Sequence, residues 1–274
     1  MGTLYLVATP IGNLDDISAR ALRTLQQVRL IAAEDTRRTR KLLTHFGIKA
    51  SVTSYYEHNK LIKLDKLLAE LANGDIALVS EAGTPGLNDP GYELVRAAIG
   101  AGYKVSPVPG PSAPIAALVA SGLPSDTFIY LGYLPRKTAE RSRLLAQIAE
   151  IPYTLIFLEA PHRLLASLYD LEKSLGNRNI AIARELTKIH EEIFRGTISQ
   201  ARAKYAVQEP RGEFTLVVEG CKKPEQIWPA AKIQAVLKEK LTQGESPSRL
   251  AAEIADQSGW PRREIYKIIT DMKI

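Results

Sequence analysis

The first 109 residues alternate short apolar runs with segments whose apolar residues recur at helical spacing. The apolar runs at residues 4–8, 30–33 and 76–79 predict strands, and the segments at 52–56 and 104–108 complete a set of five. Between them, apolar residues three or four positions apart, such as Leu61, Leu64 and Leu68, predict helices. Strands that alternate with helices are typical of a parallel sheet with helices on both faces.

The pattern changes at Pro109-Gly110-Pro111-Ser112-Ala113, which we interpret as the join between two α/β domains. A small-residue helix is predicted at about 114–121. Strands are predicted at 128–131, 154–158, 180–183, 191–195 and 214–219, with helices at about 138–150, 163–174 and 198–205. Few residues separate the strands around Ile182 and Phe194, so we expect an antiparallel pair there and a mixed second sheet.

The last segment is helical throughout, with helices predicted at 231–241, 248–255 and 262–272. Gly244 and Pro247 separate the first two helices. The third is basic and carries Arg262, Arg263, Lys267 and Lys273. Three short helices of this kind resemble a helix-turn-helix module, and both a docking domain and direct RNA contact stay open. The predicted fold class is therefore α/β, with an N-terminal domain at 1–113, a C-terminal domain at 114–222, a cleft between them and a small helical tail domain at 223–274.

Composition narrows the class of protein. The chain has 274 residues and a formal net charge of +6, which permits a polyanionic partner. A single cysteine and four scattered histidines predict neither a disulfide framework nor a metal site. No apolar run approaches the length of a membrane span, and the N-terminus enters a strand pattern directly. We therefore expect a cytoplasmic, soluble protein that does not enter a membrane.

The segment from residue 80 to residue 91 is the strongest candidate for a ligand loop. It follows the apolar run at 76–79 and contains three glycines and two prolines in twelve residues. Open α/β sheets bind ligands at the carboxyl ends of their strands. Ser80, Glu81 and Thr84 can supply polar contacts there, and the glycines allow close backbone approach. The turn after the first strand has one glycine and no following lysine, which argues against a pyrophosphate ligand.

Groups suited to acid–base chemistry or to phosphate binding follow three other predicted strands. They are Glu34, Asp35 and Arg37 after the second strand, Glu159 and His162 after the strand at 154–158, and Arg184 and Lys188 after the strand at 180–183. Asp35 or Thr36 can also cap the helix that follows. Several polar strand ends that converge from two sheets indicate an active site more strongly than any one of them.

Taken together, these segments resemble one known family. The matching motifs are Thr9-Pro10-Ile11-Gly12-Asn13-Leu14, Ala33-Glu34-Asp35-Thr36-Arg37, Glu81-Ala82-Gly83-Thr84-Pro85, Asp89-Pro90-Gly91, Pro109-Gly110-Pro111-Ser112-Ala113, His162-Arg163 and Ala183-Arg184-Glu185-Leu186-Thr187-Lys188. They run in order through nearly the whole chain. On these motifs the chain resembles the tetrapyrrole methylase superfamily and, more closely, the small-subunit ribosomal RNA methyltransferase I family. At one position the family pattern has Asp where this chain has Glu81.

The resemblance implies an activity and a partner. The activity is 2′-O-methylation of a decoding-centre cytidine ribose in 16S rRNA, with S-adenosylmethionine as methyl donor. The partner is 16S rRNA within the 30S subunit, and the protein is a homodimer. The residues implied around the donor are Pro10, Ser80, Glu81, Gly83, Thr84, Ser112, Ala113, Leu158, Ala183, Phe214 and Thr215. The candidates for the base are Glu34, Asp35, Glu159 and His162, and those for phosphate contacts are Arg37, Arg184 and Lys188.

Two other functions stay open at this point. An enzyme of the same fold could act on a corrinoid precursor or on a diphthamide intermediate. A non-catalytic RNA-binding protein could instead sense S-adenosylmethionine as a signal. The basic composition and the helical tail favour RNA over a small tetrapyrrole, and the acid–base groups at the strand ends favour catalysis over sensing.

Overall fold

The computed structural model describes residues 2–222, 228–243 and 245–272. These residues form two compact units, Met1–Cys221 and Lys222–Ile274. Gly244, expected between two tail helices, and Lys273, expected in the basic helix, lie outside the described residues. Both sheets belong to the first unit, and the division of that unit into two domains at residue 113 stays a prediction.

The first sheet confirms the predicted parallel arrangement. Its strands are β1 (Thr3–Val7), β2 (Leu30–Ala33), β3 (Val52–Ser54), β4 (Ile76–Val79) and β5 (Lys104–Val108). Every pairing is parallel, and the strand order is β3-β2-β4-β1-β5. The helices between the strands are α1 (Ala19–Gln27), α2 (Thr36–His45), α3 (Lys60–Asn73) and α4 (Tyr92–Gly100).

Alternation along the buried strands places these helices on both faces of the sheet. Ile31 of β2 packs on the face covered by α1 and α2, whereas its neighbour Ala32 packs on the face covered by α3 and α4. In β4, Val79 packs on the face covered by α1 and α2, and Leu78 packs on the face covered by α3 and α4. Successive side chains of a strand point to opposite faces, so a strand that is apolar at every position needs a cover on each side.

The second sheet is mixed, as predicted. After α5 (Ala113–Ser121), the elements are β6 (Phe128–Tyr133), α6 (Thr138–Ile148), β7 (Thr154–Glu159), α7 (Leu164–Leu175), β8 (Asn179–Arg184), β9 (Glu192–Thr197), α8 (Ile198–Val207) and β10 (Phe214–Val218). The strand order is β6-β7-β10-β8-β9, and only β6 and β7 pair in parallel. Ile182 lies opposite Phe194 in the antiparallel β8–β9 pair, which confirms the predicted pairing.

One face of the second sheet is covered by α6, α7 and α8, and the other is covered by α5. β10 runs antiparallel to both β7 and β8, so the carboxyl ends of β7 and β8 reach the same edge of the sheet as the start of β10. Leu158, Ala183 and Thr215, which the sequence analysis expects around a methyl donor, lie at this edge.

The second unit contains α9 (Ala230–Thr242), α10 (Pro247–Ser258) and α11 (Arg262–Asp271). Its apolar core includes Ile233, Leu237, Leu250, Ile254 and Ile265. The indole N–H of Trp260, between α10 and α11, donates a hydrogen bond to the carbonyl of Trp228 at 2.9 Å. Trp228 precedes α9, so this bond links the two ends of the helical unit. In the described part of the chain, no helix is long and apolar enough to cross a membrane.

Candidate functional site

Three loops at the carboxyl edge of the first sheet are joined by hydrogen bonds. The N–H of Thr9 donates to the carbonyl of Gly83 at 2.9 Å, and the N–H of Gly83 returns a bond to the carbonyl of Thr9 at 3.0 Å. The hydroxyl of Thr84 donates to the carbonyl of Pro111 at 3.2 Å. β4, β1 and β5 are adjacent, so the loops that follow them form one continuous wall.

Two positions near these loops require glycine. One has a left-handed backbone conformation, and the other lies too close to a neighbouring loop for a side chain. Gly83 has φ +81°, in the left-handed region that favours glycine. Gly12, after β1, lies against the loop after β8. A Cβ atom at position 12 would fall 2.9 Å from the carbonyl oxygen of Leu186. The loops of the two sheets therefore touch beside the wall.

The second sheet contributes three neighbouring side chains at its facing edge. In the strand register, Thr215 of β10 lies opposite Leu158 of β7 on one side and Ala183 of β8 on the other. Directly opposed residues point to the same face of a sheet. These three side chains therefore lie abreast on the face that is covered by α5.

A cavity of about 400 Å³ lies between these two edges. Nine of the eleven residues expected around a methyl donor line it, namely Glu81, Gly83, Thr84, Ser112, Ala113, Leu158, Ala183, Phe214 and Thr215. Pro10 and Ser80 do not line it. Ser80 is 3% exposed, and its hydroxyl donates to the carbonyls of Ala82 and Gly83 at 3.3 and 3.4 Å, so it shapes the loop.

Three buried hydroxyl oxygens at or beside the cavity have no hydrogen-bond partner among the described residues. They belong to Ser112, the residue before α5, to Thr9, and to Thr187, which lies between the lining residues Leu186 and Lys188. Buried hydroxyls are usually paired, and an unpaired one carries a free-energy penalty. A bound molecule with polar groups would remove that penalty at Ser112, which lines the cavity.

Of the predicted catalytic residues, only Lys188 lines the cavity. Glu159 and Arg184 lie one position beyond Leu158 and Ala183, and both are opposite Phe214 in the register. Since neighbouring positions on a strand point to opposite faces, their side chains turn away from α5 toward the face that carries α7 and α8.

The two side chains have partners on that far face. Glu159 is fully buried. It accepts bonds from the hydroxyl of Ser167 and from the N–H of Ala160, and it forms an ion pair with Arg163 at 3.3 Å. Arg184 forms an ion pair with Glu192 at 2.5 Å. Both arrangements are typical of structural contacts.

The remaining predicted groups lie around the start of α2 and after β7. Asp35 caps α2 by accepting bonds from the N–H groups of Arg37 and Arg38, and these bonds hold the pKa of its carboxyl below the usual range. Arg37 is exposed. Glu34 accepts a bond from the N–H of Glu81 at 3.1 Å, while burial raises the pKa of its carboxyl. His162 is exposed in a short 3-10 helix and does not line the cavity.

Tyr130 and Tyr133 of β6 line the cavity, although nothing in the sequence pattern points to them. A bulge between Tyr130 and Gly132 shifts the register, so Tyr130 lies opposite Ile156 and Tyr133 opposite Leu158. Without the extra residue, positions 130 and 133 would face opposite sides of the sheet. Burial raises the pKa of each phenol to about 12, so both hydroxyls are neutral at pH 7.

Sequence reasoning also missed Arg38 and Asp89 as cavity residues. Arg38 forms an ion pair with Glu81. Asp89 is half-buried, and burial together with the nearby carboxylates of Glu34, Glu81 and Glu213 raises its pKa to about 7. The available signal for Asp89 was its place at the end of the ligand loop, before Pro90.

Comparison with known proteins gives consistent matches. A family model described as Tetrapyrrole (Corrin/Porphyrin) Methylases matches residues 3–202. The chain is 46% identical to "Ribosomal RNA small subunit methyltransferase I" of Synechocystis sp., over 100% of this chain and 99% of that protein. It is 49% identical to the protein of the same name from Escherichia coli O157:H7, over 97% of this chain and 94% of that protein.

Among solved structures, the chain is similar to uroporphyrin-III C-methyl transferase from Thermus thermophilus, complexed with S-adenyl homocysteine. The TM-score is 0.55 at 19% identity, over 79% of this chain and 97% of that one. At this level of identity the likeness establishes a shared fold.

Proposed function

Because this chain belongs to the ribosomal RNA small subunit methyltransferase I family, within the tetrapyrrole methylases, we propose that it methylates small-subunit ribosomal RNA with S-adenosylmethionine as donor. In its finer form, the proposal is transfer to the ribose 2′-hydroxyl of one decoding-centre cytidine in 16S rRNA. The single observation that carries it is the cavity at which the ligand loop and the second sheet meet.

The cavity suits a cationic donor without phosphates. Its lining contains four carboxylates, from Glu81, Asp89, Glu185 and Glu213, and two cations, from Arg38 and Lys188. Both cations already have carboxylate partners, because Arg38 pairs with Glu81 and Lys188 pairs with Glu185 at 3.0 Å. The excess of negative charge favours a sulfonium and disfavours a pyrophosphate.

The chain offers a suitable contact for each part of the donor. Glu81 and the unpaired hydroxyl of Ser112 can accept from or donate to ribose and amino-acid groups. Backbone groups beside Gly83 can reach the adenine edge, and Leu158 and Ala183 supply apolar walls. The donor supplies an activated methyl group, so the contribution expected of the protein is alignment together with removal of one proton.

RNA is the expected substrate because cations lie outside the cavity. Arg37 is 87% exposed on its side chain at the start of α2, where it could contact a phosphate. Lys188 lines the cavity and Arg184 lies on the far face of the second sheet, and each is paired with a carboxylate, so both are weaker phosphate candidates than Arg37. In the tail, Arg262, Arg263 and Lys267 lie on α11 and can add contacts.

We also propose that the protein is a homodimer. Large apolar side chains are exposed on three helices of the first unit. Ile62 of α3 is 83% exposed, Tyr92 of α4 67% and Val119 of α5 71%. A second copy of the chain is the occupant that the family resemblance implies, and a contact between two copies would cover such side chains.

The test is transfer of labelled methyl groups from S-adenosylmethionine to isolated 30S subunits. We expect label in one cytidine of 16S rRNA, at a ribose that resists alkaline cleavage because its 2′-oxygen is blocked. Label on a base instead of a ribose would overturn the finer proposal. Label on a corrinoid precursor with none on RNA, or donor binding without transfer to any RNA, would overturn the function as a whole.

A further inference from the structure

Two arginine side chains hold the β6–α6 loop, which connects the end of β6 to the start of α6. Arg141 of α6 donates to the carbonyl of Pro135 at 3.1 Å and to that of Arg136 at 3.3 Å. Arg163, which follows β7, donates to the carbonyl of Leu134 and to that of Pro135 at 3.2 Å. Three successive carbonyl groups of the loop are therefore bonded to guanidinium groups, and these bonds fix the course of its backbone.

Both arginines are anchored behind the loop by buried carboxylates. Arg141 is 5% exposed, and its Nε donates to Oδ2 of Asp170 on α7 at 2.6 Å. Arg163 forms an ion pair with Glu159, which is fully buried. A buried charge destabilises a protein unless it is paired and its hydrogen bonds are made. The bonds to the loop satisfy the remaining donors of the two arginines, so the same bonds that allow their burial keep the loop rigid.

The outer side of the β6–α6 loop presents two cations. Arg136 and Lys137 are exposed, and the side chain of Lys137 is 80% exposed. Lys137 pairs with Glu140 at 3.1 Å, but this ion pair contributes little because both groups are in solvent. Arg136 has no ion-pair partner in the part of the chain that the structure describes. Both side chains are therefore available to an anion.

The β6–α6 loop lies beside the cavity. It starts directly after Tyr133, which ends β6 and lines the cavity. β6 runs parallel to β7, so the loop leaves the sheet at the same edge as Leu158. Four residues of chain span at most about 14 Å, which keeps Arg136 and Lys137 close to Tyr133. Neither cation lines the cavity, so both lie at its rim.

Charge distinguishes the inside of the cavity from this rim. The lining carries four carboxylates, and both of its cations are paired, so a phosphate is disfavoured inside. A ribose that reaches the donor carries a phosphate on either side, and these phosphates have to stay outside the lining. Exposed cations on a rigid loop beside the cavity complement them in charge. RNA is the polyanion that the proposed reaction brings to this place.

On the basis of the function proposed above, we propose that Arg136 and Lys137 bind a phosphate next to the nucleotide that is methylated. Arg136 can bind a phosphate through two parallel N–H bonds, and Lys137 adds a point charge on a flexible stem. Because Arg141 and Arg163 already fix the backbone of the loop, binding has to order only the two side chains. The contact holds the RNA strand at the rim without reading its sequence.

The experiment measures binding to isolated 30S subunits in the presence of S-adenosyl homocysteine, from about 50 to 200 mM salt. The double variant Arg136→Ala, Lys137→Ala should bind about 10-fold to 100-fold more weakly at the lowest salt. The slope of its log affinity against log salt should be smaller by about 1 to 2, because two charges that neutralise phosphate are lost. Its affinity for S-adenosylmethionine by calorimetry and its melting temperature should match the parent, because both side chains are exposed and outside the cavity lining.

A matched control removes two cations far from the cavity. Lys104 is the first residue of β5, Lys173 lies in the last turn of α7, and both are exposed. These positions are at the ends of their elements that point away from the cavity edge. The double variant Lys104→Ala, Lys173→Ala lowers the net charge by the same amount. It should bind 30S subunits within about threefold of the parent, with a parent-like salt slope.

Phosphate ethylation interference locates the contact along the RNA. Ethylation removes the charge of a phosphate, and sites that are depleted from the methylated fraction of 30S subunits are those that the enzyme needs. For the parent we expect depletion at a phosphate within about two nucleotides of the methylated one. The double variant Arg136→Ala, Lys137→Ala should lose the depletion at that phosphate and keep it at any others.

Each contrary result overturns the proposal in a distinct way. Parent-like affinity and salt slope in the Arg136→Ala, Lys137→Ala variant would overturn the role of the loop while the proposed function stands. Equal losses in the two double variants would reduce the effect to net charge, and a shift of the first variant toward monomer would assign the loop to contact between copies of the chain. A parent enzyme that neither binds nor labels small-subunit RNA would overturn the proposed function, and the role of the loop with it.

Discussion

Gly83→Leu tests the placement of the methyl donor. Gly83 lines the cavity, exchanges two hydrogen bonds with Thr9 and has φ +81°. A Cβ atom at this position would lie 3.4 Å from the Cγ2 of Ile11 and 3.7 Å from the carbonyl oxygen of Pro111. These are tolerable contacts for one carbon, but the rest of a leucine side chain must extend into the cavity.

Two effects of this substitution need to be separated. The left-handed backbone costs an L-residue about 1 to 2 kcal/mol, so Gly83→Leu should lower the free energy of unfolding by roughly that amount. Occupation of the cavity should reduce the affinity for S-adenosylmethionine by about 100-fold or more, which corresponds to roughly 2.7 kcal/mol. Calorimetry measures the affinity, and chemical denaturation measures the stability.

Gly47→Leu is the matched control. Gly47, after α2, has φ +65°, and nothing lies within 4 Å of a Cβ atom built there. It should show the same loss of stability with parent-like donor affinity. Parent-like affinity in a folded Gly83→Leu variant would refute the placement, and so would an equal loss of affinity in both variants.

The remaining predictions concern electrostatics, RNA contact and assembly. Because the pKa of Asp89 is raised to about 7 in the folded state, the parent loses stability as pH rises from about 4 to 7, and Asp89→Asn should be more stable above pH 7 by about 1 to 2 kcal/mol once solvent screening is allowed for. Equal unfolding free energies at pH 8, or a difference that persists below pH 4, would contradict this sign. Replacing Arg262, Arg263 and Lys267 together with Ala should weaken binding to 30S subunits and reduce the slope of log affinity against log salt by about 2 to 3, whereas an unchanged slope would make the tail a structural appendage. Light scattering should give a dimer at micromolar concentration, and Ile62→Glu should shift it toward monomer with little change in fold stability, because that side chain is 83% exposed; a monomeric parent would refute the dimer.

The sequence by itself determined the α/β class and most element boundaries. Strands such as 76–79 are apolar at every position, and such strands are stable only when helices cover both faces of the sheet. Local signals also predicted a loop at residues 80–91, since glycine and proline act on the backbone of their own segment. The positive φ of Gly83 and the α2 cap at Asp35 follow from such local chemistry.

Tertiary structure decided which polar groups reach the cavity. Glu159 and Leu158 are neighbours in sequence, but the period of two in a strand sends one to the far face and the other to the cavity wall. The bulge in β6 brings both Tyr130 and Tyr133 to one face, and it leaves no reliable mark in the sequence pattern. The surroundings of Asp89 are also set by tertiary structure. Its raised pKa comes first from burial and then from the carboxylates at residues 34, 81 and 213, and only the packing of separate chain segments produces both. Local propensity acts through neighbours along the chain, whereas burial and charge act through neighbours in space, and only folding determines the latter.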